Sequence, residues 1–184
     1  ISILNKLLNK DGVKFSIQNP RNVVIDNKTR EYISDKKTET HIYPHYHYHK
    51  NGNAVFMYVV KEFKIKDYDK PKIIMSFKYS PYILHAWYDE NGEYGSTDFG
   101  MYQLIDKSLS NSNIIAIVDF LNSKLIQFIL RITQYSSPPY TMNEFKILNE
   151  ITIPLLTRKL TDQDIYNYYG ITKEEQNLIE KIID

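Results

Sequence analysis

The sequence predicts an α+β fold: a mixed, mostly antiparallel sheet with hairpins in the first half and packed helices in the second. Three features carry this expectation. Two runs rich in β-branched and aromatic residues flank Asn51-Gly52, a strong short-range hairpin signal. The stretch from Asn113 to Leu130 is apolar, free of Gly and Pro, and spaces Ile117, Phe120, Leu121, Leu125 and Phe128 at mostly three- and four-residue intervals. Near the end, Thr161-Asp162-Gln163-Asp164 caps a helix and Thr172-Lys173-Glu174-Glu175 reads as a capping box opening the last one.

In chain order, Ile3 to Leu8 suits the end of a helix, and Asp11-Gly12 and Asn19-Pro20 punctuate the chain as turns. Val23-Val24-Ile25 reads as a short strand and the polar stretch from Asp26 to Thr40 as a loop or a solvated edge. The hairpin then pairs a segment alternating Tyr and His up to His49 with Ala54 to Val60. Lys72 to Phe77 and Ile83 to Tyr88 read as strands, and the second turns at Asp89-Glu90-Asn91-Gly92 into Tyr94-Gly95-Ser96-Thr97 as a hairpin. Met101 to Ile105 closes the sheet. The long helix starts at a Ser112 or Asn113 cap and must break at Ser136 to Pro139. Ile151-Thr152-Ile153 is an extended segment before Pro154. A helix from Thr161 through Tyr169 ends at Gly170, and the last helix follows.

At 184 residues the chain fits one sizeable domain and can bury a core without staples. The absence of Cys rules out disulfides and thiolate metal sites and favours a reducing compartment. No apolar run approaches the roughly 20 residues of a membrane span, and no secretory signal pattern opens the chain, so an intracellular protein is expected. The first residue is Ile, not Met, which suggests a piece of a larger protein. Tyr, Asn, Ile and Lys are abundant, as AT-rich codon usage alone would produce, so the 16 Tyr do not by themselves argue for base stacking. Residues 1–80 hold 15 Lys+Arg against 8 Asp+Glu, and residues 81–184 hold 8 against 14. A basic half joined to an acidic half suggests one face for a polyanion.

Two constellations could carry chemistry. Ser137-Pro138-Pro139-Tyr140 matches the short signature of DNA amino-methyltransferases, in which an aromatic ring stacks on a flipped base. That chemistry also needs a glycine-rich turn between a strand and a helix for its cofactor, and this chain lacks one, so the string reads as a turn. His41, His45, His47 and His49 form the second. On a regular strand His45, His47 and His49 share one face, opposite Tyr46 and Tyr48. Three imidazoles on one face could bind a transition metal or, protonated, phosphates; no carboxylate stands in the cluster to orient them, and an exposed polar hairpin face is the plainer reading.

Lys70-Pro71-Lys72-Ile73-Ile74-Met75-Ser76, Tyr88 to Thr97, Phe120-Leu121-Asn122-Ser123-Lys124-Leu125, Asn149 to Pro154, and Asp164 to Glu175 follow one another in a recognisable order. That ordered set resembles the C-terminal target-recognition domain of adenine-specific DNA methyltransferases and fused type IIG restriction-modification enzymes, with type I specificity subunits as relatives. It covers roughly residues 40–184 and leaves 1–40 outside it. It departs from the family where a glycine-rich stretch is replaced by Tyr135 to Tyr140.

The chain is expected to form one target-recognition-like domain over 1–184, with 1–40 not covered by the resemblance, cut from a larger chain and with no catalytic site of its own. The parent would be an adenine methyltransferase, with or without a nuclease. Its S-adenosylmethionine would bind in a missing upstream domain. The implied partners are double-stranded DNA and that catalytic domain, with no membrane. Loop position and side-chain chemistry nominate Lys36, Lys37, Lys50 and Lys78 for phosphates, and His45, His47, His49, Tyr48 and Asn51 for base edges. The alternatives are an interaction or structural module that keeps the fold, and a small enzyme or metal protein using the histidines.

Overall fold

The computed structural model describes residues 2–8, 10, 12–14, 23–50, 53–76, 79–80, 84–106, 108–133, 146–153 and 158–183. The expected sites Asn51 and Lys78, the Asn51-Gly52 turn and the Ser137–Tyr140 string lie outside these residues. The chain divides into two compact units: a sheet unit, residues 17–105, and a helical unit, residues 1–16 with 106–184. Helices and strands are both present, strands dominate the first half and helices the second, and the sheets are mixed but mostly antiparallel. The expected α+β class is therefore observed.

The sheet unit is built on the hairpin of β3 (Tyr43–Lys50) and β4 (Asn53–Val59), paired antiparallel. A short β2 (Ile33–Ser34) adds to β4 as an edge strand, within the stretch read as loop or solvated edge. On the other edge of β3, β6 (Tyr79–Ser80) and β8 (Gly95–Ser96) pair parallel to it. A second sheet centres β5 (Lys72–Ser76) between β7 (His85–Asp89) and β9 (Gly100–Leu104), all antiparallel. The core joins Val23, Tyr46, Val59, Ile65, Ile74 and Tyr102, with Phe56, Trp87 and Tyr94 packed against it.

Two expectations for this unit are corrected. Val23 to Ile25 is not a strand; Val23 is fully buried, and its carbonyl accepts the Asp98 N–H in an irregular segment. The chain after Asp89 does not fold back on β7 as a hairpin. The Asp89 carboxylate accepts the N–H groups of Glu93 (2.9 Å) and Tyr94 (3.1 Å), and Gly92 turns at φ 68°, so that β8 is handed to β3 instead.

In the helical unit, α1 (Ser2–Leu8) precedes β1 (Val13–Lys14), which pairs with β10 (Thr152–Ile153). The long apolar stretch is two helices, α2 (Asn111–Leu121) and α3 (Lys124–Ile132), bent 48° to each other. The break arises because Ser123 accepts the Ile126 N–H and starts a new helix, while its hydroxyl donates to the Phe120 carbonyl of the old one. The cap of α2 is Ser110, earlier than expected, with Asn113 making the reciprocal bond. The closing helices match expectation: Thr161 and Asp164 form the capping box of α4 (Asp162–Tyr169), and Gly170 ends it at φ 63°. Thr172 and Glu175 exchange bonds at the start of α5 (Lys173–Ile183). Among the described residues no single helix is long and apolar enough to cross a membrane.

Folding also redistributes charge. The sheet unit carries 12 Lys+Arg against 11 Asp+Glu and the helical unit 11 against 11. The basic and acidic halves of the sequence therefore cancel within each unit, because basic residues 1–16 join the later half and acidic residues 81–105 join the earlier one.

Candidate nucleic-acid interface

The expected contact residues cluster on β3, whose register decides their fate. Tyr46 pairs with Phe56 and Tyr48 with Val55, so His47 is an extra residue, a β-bulge. A bulge shifts the two-residue alternation by one. His45, Tyr46 and His47 are consecutively buried, and His49 moves to the face of Tyr46, whose hydroxyl lies 2.8 Å from His49 Nδ1. The three histidines therefore do not share a face, and the expected exposed polar stripe is not formed.

Each imidazole has its own environment. His45 is fully buried; its Nδ1–H donates to the Tyr43 carbonyl (3.1 Å) and its Nε2 accepts the Ile65 N–H (3.3 Å). Both nitrogens are thus satisfied by the neutral ring, and burial pushes its pKa down to about 4. His47, 9% exposed, places Nδ1 2.9 Å from the Thr97 hydroxyl and packs against Phe99. His49 stacks on His85 of β7 at 3.7 Å between ring centres. Burial, with the neighbouring His49 adding to it, lowers the His85 pKa to about 4. His41 donates from Nε2 to the Glu31 carbonyl (3.1 Å), so its Nδ1 accepts from the hydroxyls of Thr38 and Thr40. His45 and His47 accordingly serve the core. Among the described residues no three His, Cys, Asp or Glu side chains converge as a metal site.

What remains at the surface is smaller than the expected set. Tyr48 and His49 are half-buried and Lys50 is exposed at the end of β3. Lys36 and Lys37 are exposed on the loop after β2. Ser34 stands opposite Tyr58, which stands opposite Pro44, so β2 ends level with Pro44, about 20 Å of strand away from Lys50. Lys36 and Lys37 thus belong to one end of the hairpin and Lys50 to the other. His85 was not among the expected residues. Sequence offers no signal for it, since only the packing of β7 against β3 brings it to His49.

Four of the segments that carry the resemblance sit at structural joints. Lys72 and Asp89, from two of them, form a buried ion pair (3.0 Å). The Lys72 ammonium also donates to the carbonyls of Tyr68 (2.8 Å) and Lys70 (2.6 Å), which uses all three of its protons. Burial lowers its pKa, against the opposing pull of Asp89. Phe120 to Leu125 is the bend between α2 and α3, and Asp164 to Glu175 is the α4–α5 junction. Compared with known protein families, with curated proteins and with solved structures, the chain matches none.

Proposed function

We propose that this chain reads a short double-stranded DNA sequence as the target-recognition part of a restriction-modification adenine methyltransferase. The reading rests on the ordered resemblance of five segments. The observation that best supports it is the meeting of two of them, the Lys72 strand and the Asp89 turn, in one buried ion pair that sets where β8 and the β3 edge lie. Matched residues that build a shared joint are what a common fold would require.

On this reading Lys36, Lys37 and Lys50 hold phosphates and set register, while Tyr48 and His49 reach base edges. No carboxylate among the described residues pairs with these three lysines. S-adenosylmethionine and the methyl transfer itself would belong to another domain of the parent. One observation favours a second reading, an interaction or structural module: each unit is close to electrically neutral, which is modest for a polyanion binder.

Selection of the purified chain against random duplex DNA at two salt concentrations separates them. Three phosphate contacts predict a fall in affinity of about 40-fold between 50 and 200 mM salt. Enrichment of one short sequence with that salt dependence supports target recognition. No enrichment and no salt-dependent retention leaves the interaction module.

A further inference from the structure

His45 is enclosed from several sides. Tyr68 stacks on its ring at 5.4 Å, and Gly95 of β8 lies against the ring edge. The Ile65 N–H points at Nε2 from the turn that follows the 3-10 segment Lys61–Phe63, and Met57 stands opposite on β4. The charged groups around it are the cations Lys64 and Lys72, which are paired with Asp69 and Asp89 respectively. Tyr43 and Tyr68 are its titratable aromatic neighbours, and Tyr43 meets it through a backbone carbonyl. Among the described residues no carboxylate bonds to the ring.

We propose that His45 is an acid-sensitive latch: gaining a proton, it releases β8 and the Ile65 turn from β3 and opens the sheet unit, while the helical unit stays folded. A second ring proton turns Nε2 from acceptor to donor, facing the Ile65 N–H donor with two cations nearby. The ring cannot swing aside locally, since the Gly95 backbone and the Tyr68 ring confine it, so a charged ring leaves only by parting the strands. Burial that holds the neutral form down to about pH 4 is consistent with this. The stacked His49–His85 pair, where two charges would lie 3.7 Å apart, acts in the same direction. All five histidines lie in the sheet unit, so the trigger is confined to it.

The test is amide hydrogen exchange of the full chain between pH 7 and 4, corrected for intrinsic exchange, on wild type and His45→Gln. In wild type the protection of Ile65 should fall at least about tenfold per pH unit below 6.5, as the proton taken up by His45 on opening requires, and more steeply where the His49–His85 pair is freed with it, while α3 and α4 amides keep theirs. His45→Gln should lose the share of that slope, about tenfold per unit, that one proton carries, and keep only what the His49–His85 pair adds. An equal slope in His45→Gln, no slope in wild type, or parallel loss in α3 would overturn the proposal. Should the variant not fold, the His45 ring titrated by NMR in wild type decides: a ring neutral down to about pH 4 while folded supports the latch, and titration near pH 6.5 without opening sinks it.

Discussion

The ring of His45 occupies the space that a β-carbon on Gly95 would need: an added Cβ would lie 2.3 Å from both Cδ2 and Nε2. This pairing fixes β8 on β3, since His45 and Gly95 are register partners. Gly95→Ala should therefore lower stability by about 1–3 kcal/mol through overpacking. His45→Ala should make the same substitution nearly neutral. A double-mutant cycle by urea denaturation, read through Trp87 fluorescence, checks the coupling. Additive effects would mean the two residues do not share the space.

Lys72→Met should cost about 3–5 kcal/mol, because Asp89 is left charged and buried without its cation. Replacing both partners with apolar residues should cost less than the sum of the single changes. Equilibrium unfolding of the three variants tests this. A loss under about 1 kcal/mol for Lys72→Met, the range of a surface pair, would contradict the buried geometry.

Acid should act on the helical unit through a different group. Asp164 accepts from the Thr161 backbone and hydroxyl and from Arg158, and the Thr161 backbone bond is the largest cause of its pKa falling to about 2. A depressed carboxylate adds stability above its ordinary value of 3.8, lost as pH falls from there through about 2. Asp164→Asn should flatten the acid dependence of α4 amide protection between pH 4 and 2, without changing events near pH 5. Wild-type slope in the variant would argue against the cap.

If the chain reads DNA, Lys50→Ala should weaken binding to all sequences alike and reduce the salt slope by about 1. His49→Ala should instead relax preference at one position of the enriched site. Lys36→Ala and Lys37→Ala should act like Lys50→Ala. Binding isotherms at several salt concentrations distinguish these outcomes, and unchanged salt slopes in all three lysine variants would remove these lysines as phosphate contacts.

Ser123→Ala should destabilise the helical unit by about 1 kcal/mol through loss of the α3 cap. Thermal unfolding followed by far-ultraviolet circular dichroism measures it.

Local chemistry written in adjacent residues was legible. The α+β class, the pairing of β3 with β4, and the ends of α4 at Thr161 and Gly170 follow from alternation, turn residues and caps acting over a few residues. The break at Ser123 is not legible in the sequence, because its signal, one capping hydroxyl inside an apolar run, is weaker than the helical spacing around it. The candidate site was legible only in part: exposed Lys36, Lys37 and Lys50 follow from loop or strand-end position, but the histidines do not. Their placement depends on the bulge at His47, whose ring meets Thr97 fifty residues away. Sequence by itself determined the α+β class, the β3–β4 pairing and the ends of α4. Only tertiary structure decided which imidazoles are buried, that β8 joins β3 in parallel, and that Lys72 meets Asp89, because each depends on contacts between distant segments that no local pattern encodes.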